Sequence, residues 1–141
     1  MSGGRTMSEK EEIIKKIAET LSGFKEVELG YVFGSFYSGR EFEDIDIAIL
    51  LSKPPSIYES ARFAMKVAGA LEGAMGHKFE FDVKILNFSP SYFQHEVMKN
   101  GKLLFCRDEA KRVRYESGVL SEYLDYREVL DWFDEKLLAR A

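Results

Sequence analysis

The sequence predicts a mixed α/β protein of the α+β kind, a small mixed sheet flanked by helices. Two kinds of apolar spacing alternate along it. Ile13, Ile14, Ile17 and Leu21 recur every three or four residues, as one helix face does, whereas Val27, Leu29, Tyr31 and Phe33 alternate as a strand does. Interleaving gives the order helix, strand, strand, helix, strand, helix, strand, helix. No repeat, low-complexity stretch or linker interrupts that order, so residues 8–141 read as one domain behind a disordered tail, 1–7, with Met7 an alternative start.

Each element has its own signal. Ser8-Glu9-Lys10-Glu11 is a capping box opening a first helix over 8–22, which Gly23 stops. The strand from Val27 to Phe33 runs into Gly34-Ser35, and Ser38-Gly39-Arg40 supplies a turn. A second strand, Asp44 to Leu51, is closed by Lys53-Pro54-Pro55, because proline cannot donate to a sheet ladder. Ile57, Ala61, Ala64, Met65, Ala68 and Leu71 mark a helix from Ser56 to Gly73. The third strand, His77 to Leu86, has the cleanest alternation. Phe79, Phe81, Val83 and Ile85 take one side and Glu80, Asp82 and Lys84 the other. Ser89-Pro90 begins a helix through about Lys99, ended by Asn100-Gly101, and Leu103 to Cys106 is a short fourth strand. From about Asp108 the chain reads as a C-terminal helical segment with a break at Ser117-Gly118.

Composition narrows the function classes. Of 141 residues, 45% are apolar and 31% charged, the balance of a globular protein. The net charge of −4, from 24 acidic and 20 basic side chains, argues against direct non-specific nucleic-acid binding, which needs a basic surface. Cys106 is alone, so neither an intramolecular disulfide nor a cysteine-based zinc site is expected, which suits a cytoplasmic location; the thiol reads as a small buried hydrophobe. The longest apolar stretch, Ile45 to Leu51, is interrupted by Asp46 and far too short for a membrane span, so no membrane partner is expected. His77 reads as a strand-edge residue and His95 as an ordinary helical one, neither at metal-ligand spacing.

The chemistry concentrates around the second and third strands. Residues two apart on a strand share a face, so Asp44 and Asp46 stand side by side while Ile45, Ile47 and Ile49 point into the interior. Parallel carboxylates repel unless a cation lies between them, and their oxygens suit Mg²⁺ or Mn²⁺. Asp82 repeats the design, and pairing of the two strands would bring three carboxylates together, enough for two ions. Gly34-Ser35, at a strand end, offers free backbone N–H groups and a hydroxyl to phosphates. Taken singly, an Asp-x-Asp pair is usually the solvated side of a strand and Gly-Ser an ordinary turn. The ordered combination is what points to a site. Lys84 and Arg40 are either phosphate contacts or plain surface residues.

Gly34, Ser35, Asp44, Asp46 and Asp82 in this order resemble the signature of the minimal nucleotidyltransferases, the smallest members of the DNA polymerase β superfamily. The likeness extends over roughly residues 10 to 135, through Phe81 to Asn87, Glu96 to Phe105, and Lys111 to Glu116; the spacer Phe36 to Glu43 is shorter than the family's usual one. The resemblance implies a polymerase β-like fold and two Mg²⁺ or Mn²⁺ ions. It implies Asp44 and Asp46 as ligands of both metals, Asp82 as ligand and base, and the Gly34 backbone and Ser35 hydroxyl as holders of the β- and γ-phosphates of ATP.

Many stand-alone members are antitoxins of a HEPN-domain toxin, a helical ribonuclease. The resemblance therefore implies transfer of AMP from ATP to a tyrosine of that partner, and an acidic chain suits a basic RNA-cleaving protein. Two other readings stay open: a module that neutralises its partner by contact alone, and a nucleotidyltransferase acting on RNA or a small molecule. Tyr115, Val119, Tyr123, Tyr126, Leu130, Trp132, Phe133 and Leu137 form either an interface or the core of the final helix.

Overall fold

The computed structural model describes residues 8–34 and 44–139. The predicted tail, Ser35, the Ser38–Arg40 turn and the spacer Phe36 to Glu43 lie outside the described residues.

Among the described residues, four helices and four strands follow the predicted order. The elements are α1 (Glu9–Ser22), β1 (Val27–Phe33), β2 (Asp44–Leu51), α2 (Ile57–Ala74), β3 (Glu80–Ile85), α3 (Ser91–Asn100), β4 (Lys102–Cys106) and α4 (Glu109–Ala139), with a 3₁₀ turn at Leu86–Phe88. Three helices begin on the side-chain oxygen of a capping residue. Ser8 accepts from the Glu11 amide at 3.1 Å and Ser56 from Glu59 at 3.1 Å, while Asp108 accepts from Ala110 at 2.9 Å, each occupying an amide that the helix leaves unpaired.

The sheet order is β3-β2-β1-β4, with β1 antiparallel to β2 and β4, and β3 parallel to β2. The parallel pair requires a crossover, which α2 provides. On one face, Ile13, Ile17 and Leu21 of α1 and Val67 and Leu71 of α2 pack against Val32, Ile45, Ile47, Ile49 and Phe81. Gly30 admits that closeness: a Cβ there would stand 2.5 Å from Leu21 Cδ1. On the other face, Leu29, Tyr31 and Ala48 pack with Leu86 and with Phe93 and Val97 of α3 and Tyr115 of α4. Helices α3 and α4 thus cover the β1–β4 side. Among the described residues no helix crosses that face of β3, where Glu80, Asp82 and Lys84 are exposed. The site lies on this bare half.

Two side chains that the sequence did not flag fasten the frame. Asn87 accepts from the Leu51 amide at 2.8 Å and donates to the Leu51 carbonyl at 3.0 Å, supplying in one residue the bonds a further strand would give. Arg107 donates to the carbonyls of Val27 at 3.0 Å and Phe24 at 2.9 Å, tying β4 to the chain between α1 and β1.

Some expectations need correcting. No break occurs at Ser117-Gly118, because Tyr115 and Val119 pack on either side and hold the helix through Gly118, at a cost of about 1 kcal/mol for a helical glycine. The third strand starts at Glu80 rather than His77: Gly76 and His77 both take left-handed backbone, φ +65° and +59°, turning the chain out of α2. His77 is therefore a turn residue, not a strand-edge one. Cys106 is only half-buried, and its thiol donates to Glu109 at 3.3 Å. Among the described residues, no helix is long and apolar enough to cross a membrane.

Candidate active site

Register brings the acidic residues together. In the parallel pair of β2 and β3, Asp46 lies opposite Asp82 and Asp44 opposite Glu80, all four on the face turned away from α1 and α2. The buried Ile45, Ile47 and Ile49 fix which way β2 faces, since a slip of one residue would turn three isoleucines into water. Phe81, packed against the same core, does the same for β3. Glu80, which sequence reasoning placed on the polar side without a role, thereby becomes a fourth carboxylate; only the strand pairing identifies it.

Gly34 completes one wall. It follows Phe33, the cross-strand partner of Asp46, and has φ +77°, a backbone that L side chains seldom adopt. A Cβ at this position would lie 2.5 Å from Asp46 Oδ2. Glycine is therefore required twice, by its conformation and by the carboxylate seated against it.

Among the described residues, the patch is short of positive charge. Asp44 and Asp82 are exposed and Asp46 is half-buried. Burial, then the neighbouring Asp82 and Asp44, pushes the Asp46 carboxyl above the usual range, while Lys84 pulls the other way. The Lys84 ammonium stands 3.5 Å from Asp82 Oδ2, both side chains half-exposed. It is one cation among several carboxylates. The donor set consists of oxygens that suit Mg²⁺ or Mn²⁺, and the cost of ionising Asp46 is what a divalent cation would relieve. Among the described residues, no three Asp, Glu, His or Cys side chains are grouped closely enough to hold a metal ion as they stand.

Of the predicted site residues, Asp44, Asp46, Asp82 and Gly34 meet in one patch, and Ser35 falls outside the described residues. The patch is shallow and opens beside the groove between α2 and β3, which Ala61, Ala64, Met65 and Ala68 line with Asp82 and Lys84 at its edge. His95 of α3 stacks on Tyr123 of α4 with ring centroids 3.7 Å apart.

The family model described as "Polymerase beta, Nucleotidyltransferase" matches residues 15–110, a span running from α1 through β4. Solved structures share the fold at low identity. A chain of the tri-AMPylated Shewanella oneidensis HEPN toxin in complex with MNT antitoxin aligns with TM-score 0.67 and 19% identity, over 92% of this chain and 98% of that one. A toxin–antitoxin structure with AMP-PNP aligns with TM-score 0.68 and 20% identity, covering 89% and 98%. The MntA–HepT toxin–antitoxin gives TM-score 0.64 and 19% identity, over 90% and 97%. No curated protein sequence matches.

Proposed function

Because the chain belongs to the polymerase β nucleotidyltransferase family, we propose that it transfers AMP from ATP to a tyrosine hydroxyl of a HEPN ribonuclease toxin and thereby silences it. The observation that carries the reading is the register of β2 and β3, which sets Asp46 beside Asp82 and both near Asp44. Whole-chain likeness to structures of an MNT antitoxin with a tri-AMPylated HEPN toxin, and of a toxin–antitoxin with AMP-PNP, supports the choice of nucleotide and partner.

In this reading Asp44, Asp46 and Asp82 hold two Mg²⁺ or Mn²⁺ ions. When bound, the ions neutralise the triphosphate and make the acceptor hydroxyl easier to deprotonate. Asp82, on the outer strand, receives the tyrosine proton as the hydroxyl attacks the α-phosphate in line and pyrophosphate leaves. The Gly34 backbone and Ser35 hydroxyl hold the β- and γ-phosphates, a reading supported by the place of Gly34 at the edge of the carboxylate patch. Lys84, 3.5 Å from Asp82, would be released to meet a phosphate if Asp82 held a cation. A cytoplasmic location suits the lone thiol of Cys106 and an intracellular ribonuclease target.

The test incubates the chain with α-labelled ATP, Mg²⁺ and a candidate HEPN toxin. Label on a toxin tyrosine is expected with the wild type, and Asp44→Ala abolishes it. An unlabelled toxin, with a folded enzyme and a formed complex, rules the reading out. Neutralisation that survives Asp44→Ala assigns the chain to contact-only inhibition instead.

A further inference from the structure

Beyond Tyr123, α4 leaves the body of the protein. Val119 is buried and Tyr123 half-buried against His95, yet every described side chain from Leu124 to Lys136 is exposed. The apolar spacing does not stop where the packing does. Val119, Tyr123, Tyr126 and Leu130 follow one another by four, three and four residues, and the sequence continues the series at Phe133 and Leu137. This is the spacing of a helix seam that packs on another helix. Its first part is closed by α3, where Tyr115 also donates to Gln94 at 2.7 Å. Its continuation leaves Leu124, Tyr126 and Leu130 between 45% and 54% exposed. In proteins most helical stability comes from tertiary packing of an amphipathic face rather than from propensity. The seam is continuous with an interface the chain already makes, and its described residues beyond Tyr123 stand open to a partner.

Charge selects that partner. Residues 122–136 carry six acidic side chains, Glu122, Asp125, Glu128, Asp131, Asp134 and Glu135, against Arg127 and Lys136. Their balance of −4 equals the net charge of the whole chain, so the remainder is neutral. Two copies paired along this seam would bring two such charges together, whereas a basic surface would be attracted and steered to it. We propose that the exposed half of α4 docks a helical partner protein whose own apolar stripe is bordered by Lys and Arg. The proposal rests on the reading of a HEPN partner and names the surface of this chain that holds it, away from the carboxylate patch on β2 and β3.

The experiment measures binding of the full-length chain to a candidate HEPN toxin, by calorimetry and at several salt concentrations. Leu130→Glu, which puts a charge into the seam, is expected to weaken the complex about a hundredfold, as loss of a central anchor does. The double variant Glu128→Lys/Asp131→Lys weakens it about tenfold and flattens its salt dependence. Both variants keep wild-type ATP binding, which reports an intact body. Wild-type affinity in Leu130→Glu overturns the proposal, as does failure of the wild type to bind. A wild-type dimer in sedimentation that Leu130→Glu splits also overturns it, because the seam then covers itself. A tight complex that passes no AMP sinks the proposed function and leaves this inference standing.

Discussion

Replacing Gly34 by alanine tests the site at its most constrained point. At φ +77° an L residue costs about 1–2 kcal/mol relative to glycine. The added Cβ would sit 2.5 Å from Asp46 Oδ2, too close for any real contact, so the carboxylate has to rotate away. The backbone term lowers the melting temperature by about 3–10 °C in a protein of this size. The displaced carboxylate should reduce kcat for AMP transfer by about a hundredfold, the effect of misplacing a positioning group by about an ångström. Calorimetry reads the first effect, and transfer of label at saturating Mg²⁺ the second. Gly69→Ala is the matched control. Its Cβ meets nothing within 4 Å on α2, so it should stabilise by about 0.5–1 kcal/mol and leave the rate alone. Wild-type melting and wild-type rate in Gly34→Ala would refute the argument that a carboxylate leans on this backbone.

Two further outcomes follow from the same geometry. Because the Asp46 carboxyl is pushed up in the folded protein, its contribution to stability is full below the unfolded value and is lost as pH rises through the raised one. Metal-free protein should therefore melt higher when Asp46 is replaced by Asn at neutral pH, the advantage fading towards acid, while transfer is abolished; a lower melting temperature would contradict the repulsion. Asn87→Ala strips two hydrogen bonds from the Leu51 backbone and should cost about 1–3 kcal/mol, measurable by urea unfolding, with the Mg²⁺ dependence of transfer unchanged.

Local patterning determined a good deal by itself. A capping box placed the start of α1, an apolar stripe marked α2, and alternation set the faces of β1, β2 and β3, because hydrogen-bond capping and side-chain periodicity are properties of a few adjacent residues. The same local rules misplaced the break at Gly118, where packing on both flanks outweighed a glycine, and the start of β3, where His77 adopts a backbone its residue type rarely takes.

Sequence alone named Asp44, Asp46 and Asp82, and the polar side of each strand was legible from its apolar opposite side. Whether the two strands are neighbours was not, because strand pairing joins segments some forty residues apart and depends on the crossover through α2. Tertiary structure also recruited Glu80, gave Asn87 and Arg107 their backbone partners, and set Gly34 against Asp46. It divided the aromatic end of the chain as well: Tyr115 and Val119 lie against the body, whereas Tyr126 and Leu130 face water. Spacing along a helix says which residues share a face. Only the length of the neighbouring helix, here ten residues of α3, decides how much of that face is covered.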